Sequence, residues 1–131
     1  MFWHDKLLKK YIRSKGFITS VDLMTDIDLP IRVVLFDTMR HFQKVAAATK
    51  SKRSIATFYP PPKSNDDQRC IGMMIFCAEY IGAGIVTHEI FHQAEYLQQL
   101  GWESEQIAST LQDLTVNFWN WYYAITSESE D

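Results

Sequence analysis

The sequence predicts an α+β single domain: a small, mostly antiparallel sheet of three strands, covered by helices and closed by a C-terminal helical hairpin. Three observations carry this. Three apolar, β-rich runs stand at residues 31–36, 54–59 and 71–78. Segments of helical periodicity flank them. No Pro/Gly/Ser-rich linker and no internal repeat divides the 131 residues, so one core spans 1–131. A hydrophobic content of 47% fits a globular chain, not a disordered one.

Residues 3–15 repeat Trp3, Leu7, Leu8, Tyr11 and Ile12 at helical spacing, with Lys and Arg between them, and Gly16 is a natural stop. Residues 17–30 are ambiguous: Ser20-Val21-Asp22-Leu23 could open a short helix that Pro30 ends. Ile31 to Phe36 is the first strand, and Asp37-Thr38 caps a helix from Met39 to about Thr49. A basic turn at residues 50–53 leads to the second strand, Ser54 to Tyr59. Three prolines from Pro60 to Pro62 then require a loop, the segment expected to move most. Ile71 to Ala78 is apolar on both sides and predicts a strand covered on both faces. From Ile85 the spacing is helical to about Leu100, with Gly101 in the C′ position. A last long helix opens at Glu103 or Ser104 and carries the stripe Ile107, Leu111, Leu114, Phe118, Trp121/Tyr122 and Ile125. Ser127 to Asp131 is a short acidic tail expected to fray.

The charge is divided more sharply than its total of −3 suggests. All 13 Lys and Arg fall in residues 1–69, which with seven acids carry +6; residues 70–131 hold nine acids and no Lys or Arg. The plain reading is a dipolar molecule; the functional one is an acidic half that favours a cation or a basic partner. The basic residues come with no nucleic-acid motif, so no nucleic-acid partner is expected. No apolar run approaches the roughly 20 residues of a membrane span, and residues 1–15 lack the apolar core of a signal peptide, so the expectation is a cytoplasmic protein without a membrane partner. Cys70 and Cys77 bracket a strand that would hold them roughly 23 Å apart, so no disulfide joins them.

The chemistry concentrates in His88-Glu89-Ile90-Phe91-His92, the H-E-x-x-H pattern. Residues four apart share a helix face, so His88 and His92 can reach one Zn²⁺. Glu89 lies about 100° further round the helix and can act as general base to a water. The plain alternative is two ordinary histidines on a helix.

The stretch Gly72-Met73-Met74-Ile75-Phe76, then Gly84-Ile85-Val86-Thr87 with the motif, then Leu100-Gly101 and Glu105-Gln106-Ile107-Ala108, resembles the small single-domain zincin-like metallopeptidases of phages and mobile elements. The resemblance implies a zincin-like core around the H-E-x-x-H helix. It also implies a sheet-edge strand beside that helix, here Ile71 to Ala78, along which an extended peptide substrate would lie. It further implies an intracellular target, a peptide or a host protein.

A catalytic zinc needs a third protein ligand. No His follows His92, and Gln98 occupies the metzincin third-ligand position. Asp113 is favoured by geometry: in an antiparallel hairpin it faces Ile90, and it belongs to a polar stripe of Gln106, Thr110, Asp113, Asn117 and Asn120 that could line a cleft. Asn117 could then orient a ligating His. A solvated helix face explains the same stripe. Glu105 is favoured by the resemblance but requires the active helix to stop early. Glu95 shares the face of the two histidines and suits an outer role. For the oxyanion, Tyr59, Tyr80, Tyr122, Tyr123 and His41 are all candidates, and His4 and His41 have no partner motif. The leading expectation is a zinc-dependent metallopeptidase; the rival is a non-catalytic zincin-like protein that inhibits or remodels a host protein. The aromatic cluster Phe118, Trp119, Trp121, Tyr122 and Tyr123 anchors the core or forms an exposed patch.

Overall fold

The computed structural model describes residues 3–27, 29–49, 56–61 and 71–128. Their order is α1 (Trp3–Ile12), β1 (Phe17–Leu23), β2 (Ile31–Phe36), α2 (Met39–Thr49), β3 (Thr57–Tyr59), β4 (Met73–Cys77), a 3₁₀ turn (Ala78–Tyr80), α3 (Ala83–Gln99) and α4 (Ser104–Glu128). The basic turn at 50–53, the proline loop beyond Pro61, Cys70 and the last three residues of the tail lie outside the described residues.

The α+β class holds, but the sheet has four strands and is mixed, in the order β1-β2-β4-β3. β1 is antiparallel to β2, β2 is parallel to β4, and β3 is antiparallel to β4. The added strand is the ambiguous segment. Asp22, which resembles a helix-opening residue, stands directly opposite Arg32 in the β1–β2 register, and its carboxylate takes both the Nε and the Nη2 donors of that guanidinium. A cross-strand ion pair of this kind favours the ladder over a helical turn. The parallel pairing follows from the connection: α2 lies between β2 and β4, and only a crossover of that length can bring two strands side by side in one direction.

β4 is not the edge strand expected of Ile71–Ala78; it lies inside the sheet, and all five of its residues are buried. The edge on that side is β3, only three residues long and followed by Pro60 and Pro61. Proline has no N–H to donate, so the ladder ends there.

Alternation along the strands splits the core across the sheet. Val34, Phe36, Met73, Ile75 and Cys77 face Leu8, Tyr11 and Phe42 of α1 and α2. Val33, Leu35, Met74 and Phe76 face Val86 and Leu97 of α3 and Leu114 and Phe118 of α4. The charge division therefore becomes layered: the α1–α2 layer carries cations, whereas α3 and α4 contain no Lys or Arg. No helix among the described residues is long and apolar enough to cross a membrane.

The C-terminal hairpin forms as expected. Gly101 (φ 87°) ends α3; its N–H donates to Gln98 (3.0 Å) and that of Trp102 to Leu97 (3.2 Å), the paired bonds of a Schellman turn. Phe118 is fully buried against Phe76, ring centroids 5.2 Å apart, and Trp119, Trp121 and Tyr122 pack round the same cluster. The aromatic group is thus mainly a core anchor, with Tyr123 left exposed.

Candidate metal centre

α3 presents two functional flanks. Val86, Glu89, Gln93 and Leu97 are buried towards the sheet. One step round the helix, His88, His92, Glu95, Tyr96 and Gln99 line a cleft of about 450 Å³ whose other wall is β3, through Thr57, Phe58 and the following Pro60. Glu89 shares the cleft but is only 4% exposed, so its carboxylate sits at the floor between the imidazoles and the sheet.

The two imidazoles converge: His88 Nε2 and His92 Nε2 are 3.1 Å apart. Two nitrogens bound to one tetrahedral zinc at 2.0–2.1 Å would lie about 3.3–3.4 Å apart. The spacing therefore suits a shared cation with only a few tenths of an ångström of adjustment. His92 is fixed from behind. Its Nδ1 lies 3.0 Å from Glu95 Oε1, which holds the proton on Nδ1 and directs the Nε2 lone pair towards His88. Its ring also stacks on Phe58 at an interplanar angle of 13°. Phe58 in turn is seated over Gly72, where a Cβ would meet the Phe58 ring at 2.7 Å and Gln93 Oε1 at 2.1 Å. The Gln93 amide nitrogen donates to the Ile71 carbonyl at 3.0 Å. Edge strand, central strand and helix are thereby held in register beneath the histidines.

The expected third ligands are placed elsewhere. Thr110 and Ser109 donate to Asp26, each at 2.8 Å, and Asn117 donates to the Met24 carbonyl at 2.9 Å. The polar stripe of α4 thus docks on the β1–β2 connection, at the opposite edge of the sheet from β3. Asp113, three residues from Thr110 and four from Asn117, belongs to that side of α4, is exposed and does not line the cleft. Asn117 supports a backbone carbonyl and not a histidine. Glu105 is exposed in the first turn of α4. α3 does not stop early: it runs seven residues past His92 to Gln99, which carries the chain roughly 10 Å away from the histidines. Among the described residues, no group of three His, Cys, Asp or Glu side chains is placed to hold a metal ion.

Of the oxyanion candidates, Tyr59 bonds Tyr11 through their hydroxyls (2.8 Å), and His41 pairs with Asp37 (2.9 Å); both belong to the α1–α2 side. Tyr80 is exposed in the 3₁₀ turn, and Tyr122 and Tyr123 lie far along α4. The cleft instead contains Tyr96, whose phenol burial pushes above its ordinary pKa and so keeps protonated. The signal for it was in the sequence: Tyr96 is four residues beyond His92, the same step that joins His88 to His92.

No protein-family model matches the chain, and no curated protein or solved structure matches it.

Proposed function

We propose that the chain is a zinc-dependent peptidase whose working groups are His88, Glu89, His92 and Tyr96. The convergence of the two Nε2 atoms at 3.1 Å, above a buried glutamate, carries this reading. Zn²⁺ held by the two histidines would supply Lewis acidity, acidifying a water and polarising a carbonyl. The chain supplies the rest. Glu89 takes the proton of the attacking water and delivers it to the leaving amine. Tyr96, held protonated, donates to the oxygen on which negative charge develops. β3 is the outer strand on this side of the sheet among the described residues, and a peptide laid along it would be positioned by main-chain pairing without demanding particular side chains. This assigns to β3 the substrate-binding place that the resemblance gives to the strand at 71–78.

A second reading is favoured by one observation: Asp113 and Glu105 do not line the cleft, and three ligands do not converge among the described residues. In that reading the zincin-like scaffold binds a host protein and does not hydrolyse it.

One experiment separates the two. Zinc per chain is measured in protein purified without affinity-tag metal, in the wild type and in His88→Ala/His92→Ala; peptide-library cleavage is then compared in the wild type and Glu89→Gln. About one zinc, lost in the double variant, with cleavage abolished in Glu89→Gln, supports the peptidase. Zinc without cleavage supports the binding protein, and no zinc after loading and dialysis ends the peptidase reading and turns the search to protein partners.

A further inference from the structure

The α1–α2 side of the sheet holds a second concavity that has no part in the cleft chemistry. A pocket of about 620 Å³ opens between the end of α1 and the start of α2, a size ordinary for a small-molecule site. Lys10 and Lys15 line one side, and Arg40, His41 and Lys44 the other. Arg40 and Lys44 are four residues apart on α2, so they leave the helix on one face. Among the described residues, no carboxylate forms an ion pair with Lys10, Lys15, Arg40 or Lys44. The nearby acid, Asp37, is engaged by His41 Nδ1 and by the Thr38 N–H. That contact leaves Nε2 as the remaining hydrogen-bonding atom of His41 in the pocket.

Like charges at i,i+4 destabilise a helix, and here Lys10 of α1 and Lys15 just after it add two more. Among the described residues the lining of this concave site holds four cations and no carboxylate, Asp37 and Glu79 lying behind it on His41 and the Met39 N–H, and such a lining is completed by an anion. We propose that this pocket binds a small phosphate-bearing anion, of the pyrophosphate or nucleotide-phosphate class, between Arg40 and Lys44 on α2 and Lys10 in the last turn of α1 and Lys15 just beyond it. The guanidinium fork of Arg40 matches the paired oxygens of a phosphate. Four cations exceed what one carboxylate neutralises but suit a di- or triphosphate. The confined shape favours a compact ligand over a duplex, whose backbone would follow an extended basic stripe.

The test is calorimetric titration of the full chain with pyrophosphate, with tripolyphosphate and with single-stranded oligonucleotides of increasing length, in low salt with EDTA present. It is run on the wild type, Arg40→Gln/Lys44→Gln and His88→Ala/His92→Ala. Binding in the wild type, weakened at least about tenfold in Arg40→Gln/Lys44→Gln and unchanged in the histidine variant, is expected. Both basic residues are exposed, so their variant should keep or raise the melting temperature, which separates lost binding from lost fold. Four results overturn the proposal: no binding by the wild type, equal affinity in Arg40→Gln/Lys44→Gln, loss in the histidine variant, or binding confined to oligonucleotides with affinity rising with length.

Discussion

Glu95 Oε1 lies 3.0 Å from His92 Nδ1, so the carboxylate on the next turn of α3 decides which nitrogen of that imidazole is free. A carboxylate behind a ligating histidine raises its basicity and fixes its ring, and losing such a partner costs about 10–100-fold in metal affinity. Glu95→Ala should weaken zinc binding by that factor, and Glu95→Gln, which keeps an acceptor, by less. Both side chains are nearly half exposed, so the change in folding stability should stay below about 1 kcal/mol. Competition against a chromophoric chelator reads the affinity and thermal melting the stability. Unchanged zinc affinity in Glu95→Ala would remove the carboxylate from the site.

Gly72→Ala should disturb the cleft from beneath. The new Cβ would sit 2.1 Å from Gln93 Oε1 and 2.7 Å from the Phe58 ring. Gln93 cannot swing away without giving up its buried bond to Ile71, and Phe58 is the surface on which His92 stacks. Overpacking of this kind costs about 1–3 kcal/mol. Urea unfolding gives the loss, and zinc affinity should fall along with it. A variant as stable as the wild type would show that the contact relaxes freely.

Much of this arrangement was legible in the chain, and the exceptions share a cause. His88, Glu89 and His92 are four residues or fewer apart, so helix geometry alone brings them together. The same holds for Gly101, whose left-handed conformation is local. The interior place of β4 was half visible: an apolar run on both faces means burial on both faces, yet the sequence does not say which strand lies beyond it. β1 was masked because Asp22 suits a helix start, and the residue that commits it to a strand, Arg32, is ten positions away. Asp113 and Asn117 failed for the converse reason. Their spacing does define one polar side of α4, but what that side meets is the β1–β2 connection, a tertiary fact that no periodicity encodes.

Asp26 provides a pH-dependent tie between that connection and α4. The hydroxyls of Ser109 and then Thr110 hold its carboxyl below the ordinary 3.8. A carboxyl whose pKa is lower in the folded state contributes stability that is present above its unfolded value and is lost as pH falls through the folded one. Ser109→Ala/Thr110→Val should therefore melt below the wild type at pH 7, and the gap should narrow as pH drops under about 4. A gap that is constant from pH 7 to pH 3 would assign the loss to packing and not to the ionised carboxylate.

Cys77 should be chemically silent in the folded protein. Its thiol is 2% exposed, and burial first, then the charges of Glu79 and Asp37, push its pKa up to about 12. At pH 8 the reactive thiolate is then on the order of one part in 10⁴. Peptide mapping after brief iodoacetamide treatment should find Cys77 unlabelled in buffer and labelled in urea. Rapid native labelling would mean that β4 opens far more readily than its burial implies.

Phe118 ties α4 to the sheet on the α3–α4 side of the core. It is 1% exposed, touches Phe76 of β4 and lies in ring contact with Trp119, Trp121 and Tyr122 of its own helix. Truncation removes the ring that packs on Phe76 of the sheet and leaves a cavity among Trp119, Trp121 and Tyr122. Phe118→Ala should cost about 3–5 kcal/mol, while Phe118→Leu, which keeps most of the volume, should cost less than half of that. The histidine cleft is formed by α3 and β3, with no contribution from α4 to its lining. Any folded fraction of Phe118→Leu should therefore bind zinc as the wild type does. A loss under about 1 kcal/mol for Phe118→Ala in urea titration would show that α4 is held chiefly by its polar docking to Asp26 and Met24 and not by this cluster.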